Sequence, residues 1–334
     1  MTTTSLADRL RDGVYRSGLL VLLAALIVYF AVTLPAFGTP RNAVIILQSV
    51  AITAIIAMGV TISLTVGGFD LSVGSNVSFV VMLTTAAQVY YEAPPVLAVL
   101  IGLAAGALIG LLNGLLVVVA RVPDLLATLG TMFVFAGLAL VLTAGQSVSS
   151  GSIVGGEPAP GRITEPFAWL GRGVVLGLPV PVVVMIVLGV VVTVMLSRSR
   201  LGRLLAAVGG NADAARLAGV HVGRIKITAY VLSGTLASVG GVLLAARLGR
   251  GDVGVGGSYL LETVAAALIG FAVLGANRPN GFGTLVGAVF VGVLLNGLTM
   301  LNVPYYTQDL IKGAILVGAL VMSFSALFKR KDAS

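Results

Sequence analysis

Long apolar runs, interrupted at short intervals by glycine, proline and arginine, make up most of this chain. Ten runs reach the roughly 20 residues that an α-helix needs to cross about 30 Å of hydrocarbon: 18–37, 42–65, 71–91, 95–119, 124–143, 179–197, 226–246, 260–276, 282–300 and 306–327. Those at 71–91 and 260–276 each follow a glycine-rich polar stretch. The longest gap, about 144–178, holds Gly, Pro, Ser and the single Trp, and predicts a loop with one short surface helix. A second gap, 198–225, is polar and basic. There Gly209-Gly210 predicts a turn and Asn211 an N-cap, followed by one or two helical turns over Ala212–Leu217 that Gly219 ends. The pattern predicts an all-α polytopic membrane protein, a single domain over 1–334 with about ten spanning helices, some of them broken.

Composition sharpens this. Hydrophobic residues are 58% and charged residues 10%, with a mean hydropathy of +1.09. Soluble domains carry about 25% charge, so a water-soluble fold is excluded. The 44 glycines suit helices that pack backbone to backbone in lipid. With no cysteine, disulfide and thiol chemistry are excluded. The net charge of +8 sets orientation rather than pointing to nucleic acid. Arg9, Arg11, Arg16, Arg121, Arg198, Arg200, Arg203, Arg216, Arg224, Lys226, Arg278 and Lys329–Lys331 fall on one side of a ten-span arrangement. That side is expected to be cytoplasmic, with both termini on it. Arg41, Arg162, Arg172, Arg247 and Arg250 fall outside. The polar stretch before the first run, Met1–Ser17, gives no expectation of a cleaved signal.

An internal repeat is legible. Leu111-Leu112-Asn113-Gly114-Leu115 recurs as Leu294-Leu295-Asn296-Gly297-Leu298, so that Asn113 to Asn296 is a step of 183 residues. The same step takes Gly68 to Gly251, Gly74 to Gly257 and Ser75 to Ser258. Five spans separate the copies, which predicts two halves of opposite topology, approximately 40–143 and 224–327.

Three stretches carry candidate chemistry. Gly67-Gly68-Phe69-Asp70-Leu71-Ser72-Val73-Gly74-Ser75 breaks a helix, and Asp70 or Ser72 suits the cap of the helix that resumes. Unwound backbone at membrane depth is tolerated where protein buries it or where it lines a watery cavity. Asp70 therefore reads as a cap that offsets the helix dipole, as part of a translocation path, or as both. Its repeat mate, Gly249–Tyr259, reads as a re-entrant turn or as an external lip built on Gly251, Asp252, Gly257 and Ser258. Glu262 is expected in the first turn of the span that follows. Asn113 and Asn296 are buried amides that need partners, either across helices or on a solute, and Thr128 and Thr131 are of the same kind. Gly102, Gly106 and Gly110 predict close helix packing.

Several chemistries are missing. There is no G-x-x-x-x-G-K-[ST] phosphate loop, the single histidine, His221, cannot build a metal site, and no paired-carboxylate or Ser-His-Asp set is visible.

These residues resemble a known family. GGFDLSVGS (67–75), LATLGT (126–131), GRLLAAVGGNADAARLAGV (202–220) and the run from Glu262 to Leu298, with Pro304 and Lys312-Gly313 after it, are similar to permease subunits of bacterial ABC importers for ribose, xylose, galactose and related compounds. The resemblance covers roughly 40–325. Asn277-Arg278-Pro279-Asn280 departs from the family's more Gly-rich turn. The resemblance implies a homodimer, or a pair with a sister permease, in the bacterial cytoplasmic membrane. ATPase subunits would lie below and carry the ATP and Mg, with no cofactor on this chain, and a solute-binding protein would lie above. The stretch 198–225 then becomes the coupling loop, with Gly202, Arg203, Gly210, Asn211, Ala212, Ala215, Arg216 and Gly219 the expected contacts of the ATPase. The helix break and the amides, Gly67, Gly68, Asp70, Ser72, Gly74, Ser75, Asn113 and Asn296, become the expected path. The implied mechanism is alternating access. A branched-chain amino acid permease of the same superfamily and a stand-alone secondary transporter are rival readings. The second would need ion-coupling acids deep in the spans. A membrane enzyme is opposed by the missing catalytic set.

Overall fold

The computed structural model describes residues 6–272, 279–304 and part of 306–317, with side chains from Leu20 onward. Most of the tenth expected span, Arg278, Lys329–Lys331 and the side chains of Arg9, Arg11 and Arg16 lie outside the described residues. The described helices are α1 (Leu6–Thr33), α2 (Pro40–Thr65), α3 (Val73–Tyr91), α4 (Pro95–Val118), α5 (Asp124–Val141), α6 (Glu165–Arg172), α7 (Val180–Arg198), α8 (Arg200–Gly210), α9 (Ala212–Leu217), α10 (Val222–Leu248), α11 (Val255–Ala272) and α12 (Gly281–Met300). Proline in the first turn starts α2, α4, α6 and α7, where its missing N–H costs nothing. Helix α1 begins twelve residues before the expected 18, because Leu6–Gly18 is polar but still favours helix.

Among the described residues six helices, α2, α4, α5, α7, α10 and α12, are long and apolar enough to cross a membrane. Helix α3 is not one of them. It carries Ser75, Asn76, Ser78, Thr84, Thr85 and Gln88, all buried, and it lies inside the bundle. Helices α5 and α7 are peripheral and expose Phe133, Val134, Val187, Val190 and Val191. Aliphatic faces of this kind belong against lipid.

Helix α10 is the hub and packs on α2, α3 and α4. The expected glycine ridge on α4 holds and extends to Gly114. A Cβ at Gly106, Gly110 or Gly114 would enter the Gly234 carbonyl with Ser238, the Tyr230 carbonyl, or the Ile227 backbone. The two backbones therefore touch, running antiparallel. The helices expected to be their repeat mates also pack antiparallel: α12 runs against α2, joined by Thr61 Oγ1 to Thr284 Oγ1 (2.6 Å) and by a reciprocal amide pair between Asn42 and Asn296 (3.0 and 3.1 Å). Helices α2, α3 and α4 begin at 40, 73 and 95; α10, α11 and α12 begin at 222, 255 and 281. The helix starts thus recur at nearly the step that the motifs follow.

One end of the bundle carries α8 and α9. The other carries the 144–178 gap, where α6 confirms the expected short helix. Two antiparallel hairpins of two-residue strands, β1 (Ile153–Val154) with β2 (Glu157–Pro158) and β3 (Val174–Val175) with β4 (Leu178–Pro179), were not anticipated.

Candidate functional site

Helix α2 stops at Thr65 because Gly67 takes a left-handed φ of 72°. The N–H groups of Gly67 and Gly68 donate back to Leu64 and Ser63 carbonyls, both at 3.0 Å, and close the helix end. The chain then turns into the bundle. Asp70 is fully buried there. Its Oδ1 accepts from the Ser72 N–H (3.0 Å) and Ser72 Oγ (2.6 Å), and its Oδ2 accepts from Ser233 Oγ on α10 (2.8 Å). Ser72 is the N-cap residue of α3 by position, yet its hydroxyl caps nothing. It accepts instead from Asn113 Nδ2 on α4 (2.7 Å), whose Oδ1 accepts from Thr131 Oγ1 on α5 (2.6 Å). Asp124 Oδ2 accepts the Phe69 N–H (2.8 Å), and Thr128 Oγ1 donates to the Phe69 carbonyl (3.1 Å). Asp70 is thus both the acceptor for the start of α3 and a cross-link to α10. Hydroxyl and amide donors, not a cation, hold its carboxylate.

Other expected path residues lie apart. A Cβ at Gly74 would come within 3.0 Å of the Gly256 carbonyl, and Gly256 N–H donates to Ser78 Oγ (2.9 Å), so the first turns of α3 and α11 cross. Ser75 Oγ donates to the Ser72 carbonyl (2.9 Å). Asn296, paired with Asn42 at the far end of α2, lies outside the Asp70 group. Gly251 is buried: it exchanges both backbone bonds with Val148 (2.7 and 2.9 Å), and a Cβ there would enter Thr85 Oγ1. Asp252 pairs with Arg250 at 3.6 Å. Gly257 and Ser258 are exposed in the first turn of α11. Glu262 does not sit in a first turn, because α11 starts at Val255, five residues before the expected 260 and seven before Glu262.

The 198–225 stretch is more helical than its glycines suggest. Ser199 Oγ accepts the Gly202 N–H (3.0 Å) and opens α8, which runs straight through Gly209-Gly210. Asn211 Oδ1 accepts the Ala214 N–H (2.9 Å) and opens α9; Gly219, with φ 82°, ends it as expected. A Cβ at Gly209 would overlap the Thr65 carbonyl oxygen, so the last turn of α8 sits on the end of α2, beside the break. Gly202, Leu205, Val208 and Ala215 face inward, and Ala212 is half-buried. Ala215 is therefore a packing residue and not an exposed contact. Arg203, Gly210, Asn211, Arg216 and Gly219 face outward. Leu217, 91% exposed, was overlooked. Its signal was a large apolar residue closing a short polar helix.

Gly68 is small for a different reason from Gly67. A Cβ there would stand 2.5 Å from the buried Tyr230 hydroxyl. Gly68→Ala is expected to destabilise the protein by about 1–3 kcal/mol through overpacking. Tyr230→Phe should recover part of that loss in the double variant, and thermal melts of the four proteins measure the coupling.

Comparison with known proteins fits this geometry. The sequence profile described as "Branched-chain amino acid transport system / permease component" matches residues 42–320. The chain belongs to this family. The ribose import permease protein RbsC of Bacillus subtilis (strain 168) is 36% identical over 93% of this chain and 94% of its own length. RbsC of Escherichia coli (strain K12) is 36% identical over 91% and 92%. The L-arabinose ABC transporter permease protein AraH of Azospirillum brasilense is 35% identical over 94% and 90%. No solved structure is significantly similar. The protein is a multi-pass membrane permease of a bacterial inner membrane, and its role is transport.

Proposed function

We propose that this chain is the permease subunit of an ABC importer for a monosaccharide or a related small polar solute. The observation that carries the solute class is full-length similarity to permeases named for ribose and arabinose. The α8–α9 end faces the cytoplasm, supported by Arg198, Arg200, Arg203, Arg216 and Arg224 around it. Two copies, or one copy and a sister permease, stand on two ATPase subunits that bind the ATP and Mg. A solute-binding protein docks on the hairpin end. The recurrence of α2–α4 as α10–α12 supports two inverted halves that rock about the α3–α11 crossing. Closure of the ATPases pushes α8 and α9, and α8 passes the push to the end of α2 and the break beside it. The Asp70 bonds then carry it to α10. The stretch 67–75 with Asn113 forms the moving joint, and Asn296 holds the opposite end of α2.

Uptake of labelled D-ribose, L-arabinose and D-xylose tests the function, in a host stripped of its own pentose importers and given the neighbouring ATPase and binding-protein genes. Transport of none of the three would overturn the sugar assignment. Leu217→Glu is expected to cut ATPase co-purification at least about tenfold at unchanged permease level, because a charge replaces the exposed apolar contact. Wild-type recovery of the ATPase would remove Leu217 from that interface. For sidedness, Ser150→Cys should react with an impermeant maleimide in outer-permeabilised cells and Gly210→Cys should not. The reverse pattern would invert the topology.

A further inference from the structure

Most buried polar groups here bind helix to helix and stay covered. Thr53 is covered in the same way, but its partner across the helices, Glu262, is only partly covered. Thr53 is the fourteenth of the 26 residues of α2, and Glu262 the eighth of the 18 described in α11, so both lie near the middle of their helices. Thr53 Oγ1 donates to Glu262 Oε2 at 3.4 Å. One turn nearer the hairpin end, Ser49 on α2 and Ser258 on α11 are exposed. Leu261, beside Glu262, is 53% exposed, and the Tyr259 ring is partly covered. A face with serines and a carboxylate at mid-depth is costly against hydrocarbon, unlike the aliphatic outer face of α7. Water or protein must border it. The pair also joins the two repeat halves, since α2 belongs to the first and α11 to the second, and transporters tend to place solute sites there.

We infer that Glu262 and Thr53 form a mid-membrane site that binds the hydroxyl groups of a neutral, polyhydroxylated solute, with Ser49 and Ser258 on the approach from the hairpin end. The inference rests on the sugar-import reading. The two oxygens of a carboxylate accept two neighbouring hydroxyl donors of a sugar, and such charge-assisted bonds are the strong kind. The Tyr259 ring supplies apolar surface for sugar C–H groups. A neutral solute leaves no charge behind, so the site lets go as readily as it binds.

The test is uptake by the assembled importer at graded concentrations of D-ribose, L-arabinose and D-xylose, normalised to permease level. Half-saturation is set by the binding protein, so a defect in the path should appear in the maximal rate alone. Glu262→Gln is expected to lower that rate about tenfold or more at unchanged half-saturation and melting temperature, and Thr53→Val to lower it less. Glu262→Asp, which keeps the carboxylate, should restore part of the rate. Leu261→Cys should react with a small hydrophilic thiosulfonate, and Val190→Cys on α7 should not. A full rate in Glu262→Gln, or loss of folding in place of loss of rate in both Glu262→Gln and Thr53→Val, overturns the inference while the sugar assignment stands. An unreactive Leu261→Cys overturns it as well. Failure of the wild type on all three sugars overturns the assignment and the inference together.

Discussion

Asp70→Leu is expected to destabilise the protein by roughly 3–5 kcal/mol and to abolish uptake, whereas Asp70→Asn should keep roughly half of the transport or more. Three donors converge on the carboxylate: the Ser72 N–H, Ser72 Oγ and Ser233 Oγ. Leucine leaves all three facing an apolar group at a fully buried position. Each buried orphan costs about 1–3 kcal/mol, although the two hydroxyls can rotate toward other acceptors. Against a total stability of about 5–15 kcal/mol the loss is large. The effect should spread, since Ser72 Oγ is also the acceptor for Asn113, and Asn113 for Thr131. Asparagine keeps one oxygen for the Ser72 donors and turns its amide N–H₂ toward Ser233 Oγ, which can accept instead of donating. Uptake and thermal melting, measured on both variants at matched membrane levels, separate the readings. If asparagine melts normally but transports as poorly as leucine, the charge itself serves the transport cycle. Wild-type behaviour in both variants would reduce the break to a plain loop.

Much of this arrangement was legible in the chain. Hydropathy located α2, α4, α5, α7, α10 and α12, because apolar length is the physical requirement for crossing lipid, whereas α3 and α11, also expected as spans, fall short of that requirement. Gly67 and Gly219 announced left-handed turns, and Asn211 announced a cap, because local backbone geometry selects those residue types. Asn113 and Asn296 announced helix-to-helix bonds, because a buried amide must have partners. What stayed hidden depends on which faces meet. Nothing local says that Asp70 reaches Ser233, 163 residues away. Gly209-Gly210 looked like a turn, since glycine weakens helices; the structure keeps both in α8, where the first is needed for contact with α2. Ala215 looked available to a partner, but α9 turns it inward. Glu262 looked like a helix start because the glycines before it suggested a loop, and α11 in fact begins among them. The two short hairpins have no strand pattern to read, being two residues long on each side.

The neighbouring glycines of α8 offer the sharpest separation of docking from helix stability. Gly209→Ala is expected to cut uptake about tenfold or more, while Gly210→Ala should transport like the wild type. Both positions are in the last turn of the same helix, and alanine favours helix over glycine by about 1 kcal/mol at either. Propensity alone would make both changes mildly stabilising. Their surroundings differ. A Cβ at Gly209 would overlap the Thr65 carbonyl oxygen and press on the backbone carbons of Thr65 and Val66, none of which can rotate away, whereas a Cβ at Gly210 meets nothing within 4 Å. The helix must therefore lift off the end of α2 in the first variant and stay seated in the second. Under the proposed coupling, lifting would break the contact through which motion of α8 reaches the break and Asp70, while leaving the outward face of α9 free to hold the ATPase. The expected pattern for Gly209→Ala is normal membrane level, normal ATPase co-purification and ATP hydrolysis no longer matched by uptake. Equal transport by the two alanine variants would show that the seat of α8 on α2 is not the route by which ATP drives the permease.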